Sequence, residues 1–200
     1  LGKRTITHVD ASDSRIIEGS RFDKPAPYSW HGQMTSVIAA GNGQINSGRY
    51  RGIASEASLI LIKVMTSEYQ LKEVDILRGL RWILGNLTRY KIDIVNLSVG
   101  GDFVSNDPEH PIHRAIQDLN NAGVVVVAAA GNRGQDHVFP PASSPEAITV
   151  GGFNDHNTLD RTQWTGFHNN WGTDYQGNAK PDVIAPSIWI ASPILPDTEV

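Results

Sequence analysis

The sequence predicts an α/β fold: a doubly wound, mostly parallel sheet in a three-layer arrangement. Two observations carry this. Short, continuously apolar runs of strand length recur along the chain, and amphipathic stretches of helical period separate them. Their regular alternation implies parallel strands joined by helical crossovers, which pack on both faces of the sheet.

Taken in order, the chain starts polar and aperiodic. Met34, Val37 and Ile38 then recur at helical spacing behind His31 and stop at Gly41-Asn42-Gly43, a helix with a glycine exit. Leu59 to Val64 is apolar apart from Lys63, as expected of a strand covered on both faces. From Leu71 to about Tyr90 a wide apolar stripe (Val74, Leu77, Leu80, Leu84) marks a helix, and Asp93 to Val99 follows as a strand. The unit repeats, with a shorter helix over Pro111 to Asn120, a capping Gly123 and a third buried strand over Val124 to Ala130. Ala147 to Val150 and Val183 to Ala185 read as two further short strands either side of a polar loop.

Composition narrows the function classes. Two hundred residues suit one domain able to bury a sizeable core. With 17 basic against 21 acidic residues the formal charge is -4, which offers no electrostatic footing for nucleic acid or an anionic membrane surface. The absence of cysteine removes thiol catalysis and a disulfide framework, and it fits a reducing or an oxidising compartment equally. The apolar runs are too short to span a bilayer, no secretory h-region is read at the N-terminus, and localisation stays open.

Reacting groups in open parallel sheets lie beyond the carboxyl ends of the strands. Ser98-Val99-Gly100-Gly101 ends one strand and Ala129-Ala130-Gly131-Asn132 ends another, so both glycine-rich exits are expected on one rim. His31-Gly32 at a helix start offers a general base, and Asn132 after a strand offers a hydrogen-bond donor to an oxyanion. Acyl transfer needs both.

Five blocks in order resemble the subtilisin-like serine proteases, the subtilases. His31-Gly32 with its small and apolar followers is similar to the family's histidine helix, and Tyr50 to Ala57 to the loop into its next strand. Ile94 to Gly101 resembles the substrate-binding strand. Ala129 to Asn132, with Pro140 to Pro145 and Ile148 to Gly151, resembles the oxyanion segment, and Lys180 to Pro186 the block before the nucleophile. The resemblance implies a subtilisin-like fold and a serine-type endopeptidase that acts on peptide or protein substrates without a cofactor. His31 would be the base and Asn132 the oxyanion donor. Ser98, Val99, Gly100 and Gly101 would pair with substrate backbone, and Ala129, Ala130 and Gly131 would line part of the first specificity pocket.

The departures are specific. Gln33 stands where the family usually has threonine beside the catalytic ring, and no Gly-Thr-Ser nucleophile block follows Ala185-Pro186. Asp10 is the one tempting triad acid, but it lies only 21 residues before His31, and Ile6 to Asp10 is more similar to the stretch just after the family's first strand. The sequence therefore reads as a single partial peptidase domain over residues 1–200, truncated at both ends, inactive alone, and without its serine and acid. The rival from another class is a non-catalytic domain of the same fold that binds peptides or partners. A nucleotide-binding fold is weaker: Gly41-x-Gly43 lacks the third glycine of a dinucleotide fingerprint.

Other polar clusters have blander readings. His110 and His113, three apart with Asp107 and Glu109 nearby, could ligate a metal on a helix face, but read as solvated helix-start residues. The Gly41 to Gly48 loop could hold calcium through Asn42 and Asn46, yet lacks the carboxylates a hard cation favours, so no metal is expected. Asn154, Asp155, Asn157 and Asp160 read as an exposed turn.

Overall fold

The computed structural model describes residues 2–20 and 29–192. The chain forms two compact units, Leu1–Gln70 with Ile190–Val200, and Leu71–Trp189.

The first unit holds β1 (Thr5–Asp10), β2 (Ile17–Glu18), α1 (Ser29–Ala40) and β3 (Leu59–Lys63). β1 lies between the other two strands, antiparallel to β2 and parallel to β3, with Asp10 opposite Lys63. The polar start of the chain is thus a strand, contrary to the sequence reading. Its apolar residues do not mark a face, since Ile6 is exposed and Val9 buried, so pairing with β3 determines it. The guanidinium of Arg4 donates to Ala57 O at 2.8 Å and to Ala40 O at 2.6 Å, satisfying the last carbonyl of α1. The glycine exit is a close crossing of backbones: Gly52 N–H donates to Gly41 O at 2.9 Å, and a Cβ on Gly52 would lie 2.5 Å from Gly41 N.

The second unit is built on a sheet in the order β10 (Val183–Pro186), β6 (Ala147–Asn154), β5 (Val125–Ala129), β4 (Ile94–Leu97), all parallel, with β7 (Thr165–Gly166) antiparallel on β6. β8 (Gly172–Thr173) and β9 (Ala179–Lys180) form a separate hairpin. The connecting helices are α2 (Glu73–Tyr90) and α3 (Pro111–Asn121). α2 starts two residues later than the periodicity predicts, because Lys72 is still extended, and it ends on left-handed Lys91, whose N–H donates to Leu87 O. His110 caps α3 and Pro111 opens it, where the missing N–H costs nothing.

α3 packs on β5 and on α2. On one sheet face Val95, Val126, Ala128, Ala147 and Thr149 are buried. The register places Ile94, Val125, Ile148 and Val183 together on the other face, where Ile94 is 66% exposed. The third strand is therefore not buried throughout, as its unbroken apolar run suggested; alternate residues face outward. A short ion pair pins β10 to β6: buried Lys180 donates to Ala147 O at 2.8 Å and to Asp182 at 2.7 Å, and the Asp182 carboxylate also accepts Thr149 N–H at 2.7 Å. Packing thus accounts for Lys180-Pro181-Asp182, quite apart from any resemblance.

Candidate active site

In the second unit β4 and β5 are adjacent and parallel, with Leu97 opposite Ala128, so Ser98 to Gly101 and Ala130 to Asn132 leave the sheet at the same rim. This is the juxtaposition the sequence predicts. Ser98 Oγ accepts from Asn96 Nδ2 at 2.9 Å, and Gly101 N–H donates to Pro140 O at 2.7 Å, fixing both ends of that segment. Ala129 is exposed, whereas Ala130 is buried and its N–H donates to Val150 O.

Gly131 has φ +105, a conformation open to glycine. The chain can therefore turn sharply and present Asn132, which is exposed and whose amide has no intramolecular partner among the described residues. A residue absent from the sequence reading holds this turn. Asn170, 1% exposed, accepts Arg133 N–H at 2.9 Å and Gln135 N–H at 3.4 Å through Oδ1, while its own backbone N–H donates to Gly131 O at 2.9 Å. A side chain at Gly131 would run into the Asn170 amide, its Cβ 2.9 Å from Nδ2. Turn and clamp thus fit only each other. Nothing local in Phe167-His168-Asn169-Asn170 signals this, because the partners lie 37 and 35 residues away.

In the first unit His31 is the third residue of α1. Its ring meets Trp30 edge-on, centroids 5.6 Å apart. His31 is exposed, yet the protein packed around its ring partly desolvates it, which disfavours the charged form and lowers its pKa, so the ring is neutral and able to accept a proton at neutral pH. The hydroxyls of Thr35 and Ser36 turn back to the helix, donating to His31 O at 3.0 Å and Gly32 O at 2.5 Å. Among the described residues the His31 ring has no hydrogen-bond partner.

Asp10 closes β1 and is buried. Its carboxylate accepts Ser12 N–H at 3.0 Å, Ser12 Oγ at 2.5 Å and Lys63 Nζ at 3.2 Å. Burial pushes its pKa up, but Ser12 and Lys63 together outweigh burial and leave it below the ordinary carboxylate value. These bonds occupy Asp10 with Ser12 and Lys63, and none joins it to His31.

His110 and His113 are not solvated helix-start residues. His113 is fully buried, its Nδ1 2.8 Å from Asp107 O and its Nε2 2.9 Å from Ser143 Oγ. Because a carbonyl can only accept, Nδ1 carries the proton and Ser143 donates to Nε2. Burial lowers the His113 pKa most strongly; the Asp107 carbonyl opposes it and His110 reinforces it. Among the described residues no three His, Cys, Asp or Glu side chains converge on a metal site. Asn154, Asp155 and Asp160 accept N–H groups two residues on, the turn predicted for them.

Residues 4–192 match the sequence profile of the Subtilase family. The chain is 37% identical over 180 residues to "Serine protease AprX" of Bacillus subtilis (strain 168), covering 84% of this chain and 40% of that protein. It is 31% identical over 196 residues to "Subtilisin E" of the same strain, covering 92% and 45%. Among solved structures, "S41 Psychrophilic Protease" superposes with a TM-score of 0.77 at 24% identity, covering 96% of this chain and 62% of that one, and "Sphericase" with 0.75 at 21% identity, covering 95% and 62%. The chain thus spans less than half the length of these curated relatives. The predicted α/β, mostly parallel, subtilisin-like fold holds.

Proposed function

Since the chain belongs to the subtilase family, we propose that it supplies the general base and the oxyanion donor of a serine-type endopeptidase. The turn at Asn132 carries this reading: an amide without a partner, presented beside a strand exit and clamped from behind by Asn170. Donors that stabilise an oxyanion must be fixed before the charge develops, and such a clamp meets that requirement.

In the reaction, His31 removes the proton of a serine hydroxyl as its oxygen attacks the peptide carbonyl. Asn132 donates to the carbonyl oxygen as it becomes negative, and His31 then returns the proton to the departing amine. Substrate backbone adds as a strand along Ser98 to Gly101, with Ala129 to Gly131 beside the side chain of the cleaved residue. No cofactor enters this scheme, and Asp10 serves as a structural partner of Lys63. Both units belong to one peptidase domain in this reading.

The 200 residues contain no Gly-Thr-Ser sequence. The isolated chain is therefore expected to leave a fluorophosphonate probe unreacted, while the whole protein reacts and cleaves peptides in a His31-dependent manner. Peptide binding by the whole protein without turnover or labelling would instead identify a non-catalytic peptide-binding domain.

A further inference from the structure

Trp30 stands immediately before His31, in the first turn of α1. Successive side chains on a helix diverge by about 100° and do not ordinarily face each other, so two neighbouring rings meet only when both lean toward the same side. These rings do meet. The indole and imidazole centroids lie 5.6 Å apart with their planes at 80°, an edge-to-face contact of the kind aromatic pairs favour.

No polar group among the described residues holds the imidazole. Thr35, one turn on, turns its hydroxyl back to His31 O at 3.0 Å, and Ser36 likewise bonds Gly32 O, so neither is free to reach the ring. Loss of surrounding water is the one influence that moves the His31 pKa, and no charged side chain among the described residues contributes. Trp30, itself half-buried, is the aromatic neighbour that takes the place of water on one side of the ring. A histidine at a helix start otherwise exchanges among staggered χ1 wells and a broad χ2 range, and an indole against the ring closes part of that range.

We propose that Trp30 is a positioning residue for the base, its indole confining the His31 imidazole to the orientation from which it takes the serine proton. The inference rests on the proposed peptidase activity. An acceptor at the second ring nitrogen fixes the tautomer, and the indole narrows the rotation of the ring before that acceptor and the substrate are in place. Trp30 touches no reacting atom, so its effect belongs on turnover.

The test uses the whole protein. Trp30→Ala is expected to lower kcat about tenfold with KM within about twofold of the wild-type value, less than the roughly 10²-fold that a misplacement of about 1 Å can cost, because the acceptor still orients the ring. The same variant readmits water to the imidazole, so its pKa rises and the acid limb of the kcat/KM profile moves to higher pH. Trp30→Phe keeps an aromatic edge-to-face partner and should recover most of kcat and leave that limb near its wild-type position. A third readout needs neither cleavage nor a folded variant: in the wild type the NMR signals of the His31 ring should be displaced by the ring current of the indole. An unmoved kcat and acid limb in Trp30→Ala, a loss confined to KM, or equal losses in both variants with the limb unmoved overturns the inference, as do His31 signals without that displacement. A protein that cleaves no peptide overturns the peptidase reading instead, while the NMR signals still decide whether Trp30 confines the ring.

Discussion

The turn that presents Asn132 and the helix that presents His31 are held in opposite ways. Asn132 sits on backbone fixed at three points by buried Asn170, twice through its side-chain oxygen and once through its backbone N–H, before any substrate arrives. His31 rides an ordinary helix, its ring touched edge-on by Trp30 and without a hydrogen bond among the described residues. An oxyanion donor has to be rigid in advance, because its worth lies in needing no reorganisation. A base has to be oriented by a further acceptor at its second nitrogen. In the roles proposed for them, one region is complete as it stands and the other requires a partner.

The most damaging way to probe this contrast is to remove the base. In the whole protein His31→Ala is expected to lower kcat by about 10⁶-fold, the size of the loss when the histidine of a subtilisin is removed, with KM little changed. Asn132→Ala should cost less, about 2.7–4 kcal/mol of transition-state stabilisation, the range found on removing one oxyanion donor from a subtilisin, again in kcat. Steady-state kinetics separate the two. An Asn132 variant altered only in KM would move that residue from the oxyanion to substrate binding.

Removing the clamp sharpens the comparison. Asn170→Ala leaves Asn132 in place but frees Arg133 and Gln135 N–H groups, and a displacement of about 1 Å can cost about 10²-fold in rate. We expect a kcat loss approaching that figure. The decisive measurement is the double variant: with Asn132 already Ala, the Asn170 substitution should cost little further kcat, since it acts through the residue already lost. Full additivity would make Asn170 a merely structural residue.

How much of this was legible in the sequence follows from where each determinant lies along the chain. α2 and α3 declare themselves within a few turns, through apolar periodicity ending at Lys91 and Gly123. The two glycine-rich exits were readable because a strand followed by Gly fixes its own place at the rim. β1 was not, since Thr5 to Asp10 lacks an apolar face and gains its conformation from Leu59 to Lys63, more than fifty residues on. Asn170 was hidden for the same reason. His113 stood on the apolar stripe with Ile112, Ile116 and Leu119, and its polar type concealed a core position whose hydrogen bonds come from Asp107 and from distant Ser143. Nothing in the structure explains Gln33 in place of threonine.

His113 also sets the smallest effect, one that should leave both halves of the proposed site untouched at neutral pH while acting on the second unit's stability. The neutral ring donates to Asp107 O and accepts from Ser143, and Glu146, the Asp107 carboxylate, Tyr175 and His110 are the titratable groups around it. Its pKa in the folded protein is lowered, chiefly by burial, so the unfolded chain binds this proton more readily. The stabilisation is therefore fully present above the unfolded histidine value of about 6.5, and is lost as the pH falls below it toward the folded pKa. Protonation would oblige Nε2 to donate where it now accepts from Ser143. Denaturant unfolding from pH 8 down to pH 5 should show stability declining through this window, and His113→Gln, less stable at pH 8, should flatten that decline. An unchanged slope in the variant would assign the pH dependence to the exposed histidines instead of this buried pin.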